Sequence, residues 1–159
     1  MDSDEINCIL RQHVGPMFLG VFAADRIPML NNFPCCYIVN TDPASLPGKH
    51  WVAYFHISAK SQEFFDSYGQ PPTSYFLPTY TKLLYNTKSF QSVTSNVCGH
   101  YCIFYLYRRC RSMPLSRITF TLSNVRDPDQ YVCSFVCRLG SRIKSCTKCQ
   151  SSTCLNKFI

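Results

Sequence analysis

The strongest hydrophobic pattern along the chain lies in residues 98–107 and predicts a helix. Apolar and cysteine side chains recur there at spacings of three and four residues, and other apolar residues fill the positions between them. We therefore expect a helix buried on nearly all sides, with Ser95 or Asn96 capping its start. Cys98 falls in the first turn, where backbone N–H groups and the helix dipole stabilise a thiolate. A small structural cysteine is the alternative interpretation of this position.

Shorter patterns on either side predict further strands and helices. Residues 50–57 and 63–66 are apolar runs around a polar turn, which predicts an antiparallel hairpin. The β-branched run from Cys35 to Thr41 predicts another strand. The weaker patterns predict a helix over 3–12, an extended stretch over 18–27, a helix around 80–85, a loop or short strand over 114–122, and a last helix from Asp127-Pro128.

The length of 159 residues suits one domain with its own hydrophobic core. From Gly140 onward the composition changes to Ser, Lys, Cys and Thr, so we expect a domain over residues 1–139 and a basic C-terminal tail over residues 140–159. No apolar run approaches the ~20 residues of a membrane span. The acidic N-terminus is unlike a signal peptide. These two features predict an intracellular protein without a membrane partner.

The net charge of +7 is unevenly distributed along the chain. Residues 1–70 carry four Lys/Arg against seven Asp/Glu, a balance of −3, whereas residues 71–159 carry twelve against two, a balance of +10. Such an asymmetry favours a polyanionic partner, and non-specific DNA binding is the prediction. A solvated basic face is the alternative, because the basic residues form no recognisable nucleic-acid-binding motif.

The eleven cysteines are an odd number without regular spacing, which favours reduced thiols in an intracellular protein. Cys133 and Cys137 together with Cys146 and Cys149 raise the question of a zinc site. Only the second pair has the usual Cys-x-x-Cys spacing, so free thiols are the preferred interpretation and no metal is expected.

The predicted hairpin suggests a catalytic arrangement. His50 opens its first strand and Asp66 closes its second, so the two side chains should meet at one edge of the sheet. Asp66 could then orient the imidazole of His50, leaving the other ring nitrogen for Cys98 as base to nucleophile. The side chain of Gln91 and the backbone N–H of Cys98 are candidate donors to an oxyanion. His56 is a weaker candidate for the base, because it lies at the turn end of the hairpin.

These residues and their order resemble the adenovirus-type cysteine proteases. The matching elements are Gly48-Lys49-His50-Trp51, then Asp66-x-x-Gly69, then Gln91 followed by Cys98-Gly99. The segments Gly15-Pro16-Met17-Phe18-Leu19-Gly20 and Ile38-Val39-Asn40-Thr41 are also similar to adenain segments. Adenains have Glu as the acid, and the Asp66 segment looks more like the Maverick/Polinton or adintovirus-like branch. The resemblance covers about residues 5–125.

The resemblance implies an α+β fold related to SUMO proteases, with a small mixed or antiparallel sheet packed on the central helix that carries the nucleophile. It also implies a cysteine endopeptidase, with Cys98 as nucleophile, His50 as base, Asp66 as orienting acid and Gln91 as oxyanion donor. Its relatives cleave capsid and core precursors next to Gly during virion maturation, in the host nucleus and virion. No cofactor is needed for the chemistry, although relatives are activated by DNA and by a viral peptide.

Two points about partners follow from the resemblance. The viral peptide pairs with a family cysteine between the acid and the Gln, but this chain has no cysteine between Asp66 and Cys98. We expect a monomer that acts on protein substrates. The alternatives are a protease that removes ubiquitin-like modifiers, and a non-catalytic binding module on the same fold.

Overall fold

The computed structural model describes residues 1–79 and 81–142, which form five strands and four α-helices. The elements in chain order are α1 (Ser3–Val14), β1 (Phe18–Ala23), β2 (Cys35–Asn40), β3 (Trp51–Ser58), β4 (Ser61–Phe65), β5 (Lys82–Tyr85), α2 (Cys98–Arg109), α3 (Leu115–Ser123) and α4 (Pro128–Gly140). Short 3₁₀ turns occupy Gly15–Met17 and Pro72–Tyr75. The last turn of α4 reaches Gly140, and the predicted tail lies almost entirely outside the described residues.

The sheet is mixed, with its five strands in sequence order. β1 is parallel to β2, β2 and β3 are antiparallel, β3 and β4 form the predicted antiparallel hairpin, and β5 is parallel to β4. Ala53 pairs with Phe65 in the hairpin, which places the residues just before β3 and just after β4 at the same edge. The sheet therefore brings the predicted catalytic residues of this hairpin to one end.

The central helix α2 packs between the sheet, α1 and α4, and its residues from Gly99 to Leu106 are all buried. The prediction of a helix buried on nearly all sides is confirmed. Its far end is tied to the sheet by Glu63, whose carboxylate accepts from Tyr105 Oη at 2.9 Å and from Arg109 Nε at 2.7 Å. This contact fixes the direction of α2, and so the place of its first residue, relative to the hairpin.

Two of the predicted elements are wrong. The helix expected around residues 80–85 is instead strand β5, where the side chains of Lys82 to Tyr85 alternate between exposed and half-buried. The loop or short strand expected over 114–122 is helix α3, whose Leu115, Ile118 and Leu122 form one buried face. β-branched residues in this segment favoured an extended structure locally, but the apolar stripe at helical spacing decides the outcome.

Among the described residues, no helix is long and apolar enough to cross a membrane.

Candidate active site

The hairpin brings His50 and Asp66 together as the sequence predicted. His50 Nε2 lies 2.6 Å from Asp66 Oδ1, and the carboxylate is fully buried. His50 itself is buried to more than nine-tenths of its surface. The other ring nitrogen, Nδ1, is therefore the one available to a nucleophile.

The turn after β4 is built around the Asp66 carboxylate. Asp66 Oδ1 also accepts from the backbone N–H of Tyr68 at 3.1 Å, while Oδ2 accepts from the backbone N–H of Gln70 and from Tyr75 Oη, both at 2.9 Å. Gly69 makes this turn possible, because its φ of +72° is left-handed and a Cβ there would lie 2.7 Å from the Lys88 backbone. Together these donors hold the carboxylate in one orientation.

The Asn86 side chain holds the backbone of Asp66. Its Oδ1 accepts from Asp66 N at 3.0 Å, and its Nδ2 donates to Asp66 O at 2.6 Å. Sequence reasoning missed Asn86 and Tyr75, because both act across chain separations of nine residues or more and no local motif marks them.

Cys98 is the first residue of α2, and its side chain hydrogen-bonds to His50. Backbone groups of Trp51 and Gly99 also hydrogen-bond to it and stabilise its charged form. The prediction that Ser95 or Asn96 caps the helix is wrong, because Val97 is the N-cap residue and no side chain caps the helix start. The positive end of the helix dipole thus faces the thiol without a side-chain cap.

The electrostatics of the pair favour a thiolate and an imidazolium. Burial opposes the charged form of His50, but the hydrogen bonds to Asp66 and Cys98 outweigh it and raise the pKa of His50 to about 9. Burial likewise opposes the thiolate of Cys98, yet the hydrogen bond to His50 and the backbone contacts lower the pKa of Cys98 below its ordinary value. Cys98 therefore ionises more readily than an ordinary thiol, and the thiolate is the nucleophilic form.

Gln91 lies in the segment between β5 and α2 and is buried. Its Oε1 accepts from Ser67 Oγ at 2.7 Å, and its Nε2 donates to the carbonyl oxygen of Ser95 at 2.8 Å. Its two partners are thus one residue from Asp66 and three residues from Cys98. A role of Gln91 as oxyanion donor stays a prediction.

A cavity of about 360 Å³ opens beside the His50 ring. Tyr75 and Tyr68 line the cavity and pack against the imidazole, with ring centroids 5.8 and 4.9 Å away. Phe76 stands at its rim with a 99% exposed side chain and a left-handed φ of 56°. The remaining lining residues are Thr41, Asp42, Lys49 and Ser74.

The other histidines are placed for structural roles. His56 is fully buried, its Nε2 lies 3.1 Å from Tyr37 Oη, and burial lowers its pKa to about 4. Burial also lowers the pKa of His100 to about 4. His13 Nε2 lies 3.3 Å from the Leu139 carbonyl oxygen. His56 pairs with Gln62 near the turn of the hairpin, as expected. His50 is the histidine that contacts Asp66.

The other thiols of the described region divide into buried and half-buried groups. Cys102 is completely buried, which raises its pKa, and its Sγ donates to Trp51 O at 3.3 Å. Cys36 and Cys110 form a close pair, with sulfurs 3.7 Å apart. The described residues contain no group of three or more His, Cys, Asp or Glu side chains suited to a metal ion. Cys146 and Cys149 of the zinc alternative lie outside the described residues.

Comparison with known proteins identifies the fold. No family model matches the sequence, and no curated protein matches it either. The structure is similar to the crystal structure of the ASFV pS273R protease, with a TM-score of 0.50 and 19% identity. The match covers 85% of this chain but only 65% of the length of that protease. The predicted α+β, SUMO-protease-like cysteine protease fold is thereby confirmed, with a mixed sheet and Cys98 at the start of its central helix.

Proposed function

We propose that this protein is a cysteine endopeptidase in which Cys98, His50 and Asp66 form the catalytic triad. One observation carries the proposal: a buried histidine is bonded on one side to a buried carboxylate and on the other to a thiol at a helix start. An inert core would gain nothing from a buried chain of three ionisable groups, since their desolvation is costly.

The proposed reaction follows from these positions. The Cys98 thiolate attacks the peptide carbonyl carbon, and the new oxyanion accepts from the backbone N–H of Cys98 and from the Gln91 amide. Protonated His50 then gives its proton to the leaving amine, which departs and leaves a thioester on Cys98. Neutral His50 next takes a proton from water, whose oxygen attacks the thioester, and the thiolate is regenerated.

The substrates we propose are capsid or core precursors of a virus or virus-like transposon, cut next to Gly during maturation in the host nucleus and virion. The support is the adenain-like order of His50-Trp51, Asp66, Gln91 and Cys98-Gly99 together with the protease-like fold. Activation by DNA and by a peptide belongs to the same proposal. The segment between Asp66 and Cys98 contains no cysteine, so it cannot form the disulfide through which relatives bind the activating peptide.

The test combines cleavage with a reaction that needs no known substrate. Fluorogenic peptides with Gly beside the reporter amide measure cleavage, and iodoacetamide at pH 6 measures which thiol is ionised. We expect Cys98→Ala to abolish cleavage and Cys98 to be alkylated first, since ordinary thiols stay protonated at pH 6. Cys8→Ala is the matched control, because Cys8 is a half-buried thiol on α1. Cleavage by the Cys98→Ala variant would refute the assignment.

A further inference from the structure

Ser67 is a fully buried residue between the predicted acid and the segment that contains Gln91. Its hydroxyl donates to Gln91 Oε1 at 2.7 Å. Its backbone carbonyl accepts from the N–H groups of Phe90 at 2.8 Å and Gln91 at 3.2 Å. Ser67 therefore holds both the backbone and the side chain of Gln91.

These contacts decide how the Gln91 carboxamide is turned. Its Nε2 donates one hydrogen to the carbonyl oxygen of Ser95, which can only accept, so the amide nitrogen must face that side. Oε1 then needs a donor on the other side, and Ser67 Oγ supplies it. The second Nε2 hydrogen is left for another acceptor. A Gln91 without Ser67 would keep its Oε1 buried and unsatisfied, and the side chain would move to repair this.

We propose that Ser67 is a positioning residue that fixes Gln91 so that its second Nε2–H can donate to the oxyanion. This inference rests on the proposed endopeptidase function. Ser67 follows Asp66 directly, so the carboxylate that orients the base and the hydroxyl that orients the oxyanion donor belong to one turn. That turn is also anchored by Tyr68 and Gln70, whose N–H groups bind the carboxylate. One rigid loop thereby sets the geometry of both halves of the site.

A double-mutant cycle tests the proposal, since two residues that act through one interaction are not additive. We expect Ser67→Ala to lower kcat about tenfold with KM unchanged. Gln91→Ala should lower kcat about 10²-fold, the scale for one oxyanion donor. The double variant should be no slower than Gln91→Ala alone. Multiplying effects would overturn the proposal, because Ser67 would then act independently of Gln91.

Alkylation of Cys98 separates this role from a general effect on the site. Iodoacetamide transfers its carbon to the thiolate and releases iodide, so no oxyanion forms and Gln91 is not needed. The alkylation rate at pH 6 should therefore be unchanged in Ser67→Ala, and a parallel loss of alkylation and cleavage would overturn the proposal. Ser67→Cys replaces the hydroxyl with a slightly larger and weaker donor, and its kcat should fall between those of wild type and Ser67→Ala. If cleavage persists in Cys98→Ala, the proposed function itself fails.

Discussion

Replacing Asp66 with Asn tests whether the carboxylate controls the proposed nucleophile, Cys98. All four acceptor positions of Asp66 are used, because Oδ1 accepts from His50 and Tyr68 and Oδ2 accepts from Gln70 and Tyr75. An Asn side chain places an NH₂ group where one oxygen stood, so two donors would meet another donor. The substitution therefore removes a charge and also breaks part of the turn.

The size of the effect follows from the pKa of His50. A rise from 6.5 to about 9 corresponds to about 3 kcal/mol in favour of the imidazolium, and Asp66 is the largest contributor that raises it. Losing that contribution should lower kcat/KM by about 10²–10³-fold at pH 7. Because the folded-state pKa is raised, protonated His50 stabilises the protein below about pH 6.5, and this stabilisation is lost as pH rises through about 9. The stability deficit of Asp66→Asn should therefore be largest at acidic pH.

The assay is the pH dependence of Cys98 alkylation, read by mass spectrometry of each cysteine-containing peptide. Wild-type Cys98 should react at a lower pH than an ordinary thiol, and Asp66→Asn should move its midpoint back toward the ordinary range. Cys110 is the internal reference, since its lowered pKa depends first on its hydrogen bond to Cys36 and not on Asp66. Asp25→Asn is the matched control, an exposed carboxylate that accepts from Ala44 N. An unchanged Cys98 profile in Asp66→Asn would refute the reasoning.

Three further predictions concern other parts of the chain. Arg109→Ala should lower the free energy of unfolding by about 3 kcal/mol in a urea titration, since Glu63 would stay buried without its ion pair. Phe76→Asn should raise the free energy of unfolding by about 1 kcal/mol in thermal melts. Asn adopts the left-handed φ at this position more readily than Phe, and the exposed Phe76 side chain buries no surface that would be lost. DNA binding should be salt-dependent, and its log–log slope should fall by about 3 × 0.9, or about 2.7, on changing three tail lysines to Gln: Lys144, Lys148 and Lys157. An unchanged slope in this triple variant would contradict a role of the tail, and Lys60→Gln is the control outside it.

The structure narrows the choice of basic residues for the proposed DNA binding. Arg108 stacks on the rings of Phe104 and Phe135, and Arg109 pairs with Glu63. Arg111 lies 3.6 Å from the Tyr107 ring centre. These three arginines contribute to the positive charge of the C-terminal half, but each one also has a contact within the fold. Arg117, Arg126 and Arg138 are exposed, as Arg111 is, and they are better candidates because they lie outside these contacts.

Local patterns were sufficient to predict the hairpin and the central helix, because both depend on contacts close in sequence or on a long apolar run. β5 could not be predicted in this way, since it pairs in parallel with β4 across 21 residues of sequence, with Gln62 opposite Leu83. A parallel partner leaves no turn signal in the sequence. Helix α3 was missed because its β-branched residues favoured an extended conformation over a stripe of only three buried side chains.

The residues of the candidate site likewise fall into those that the sequence predicts and those that only the structure reveals. His50, Asp66 and Cys98 have the residue types that nucleophilic catalysis needs, so chemistry and chain order are enough to propose them. Ser67, Tyr75 and Asn86 have side chains that occur in any loop, and only their hydrogen bonds to Asp66 or Gln91 mark them. A catalytic group is constrained by what it does, whereas a supporting residue is constrained only by where the fold places it. Supporting residues can therefore be identified only when the fold is known, and variants of these residues test the arrangement of the site more sharply.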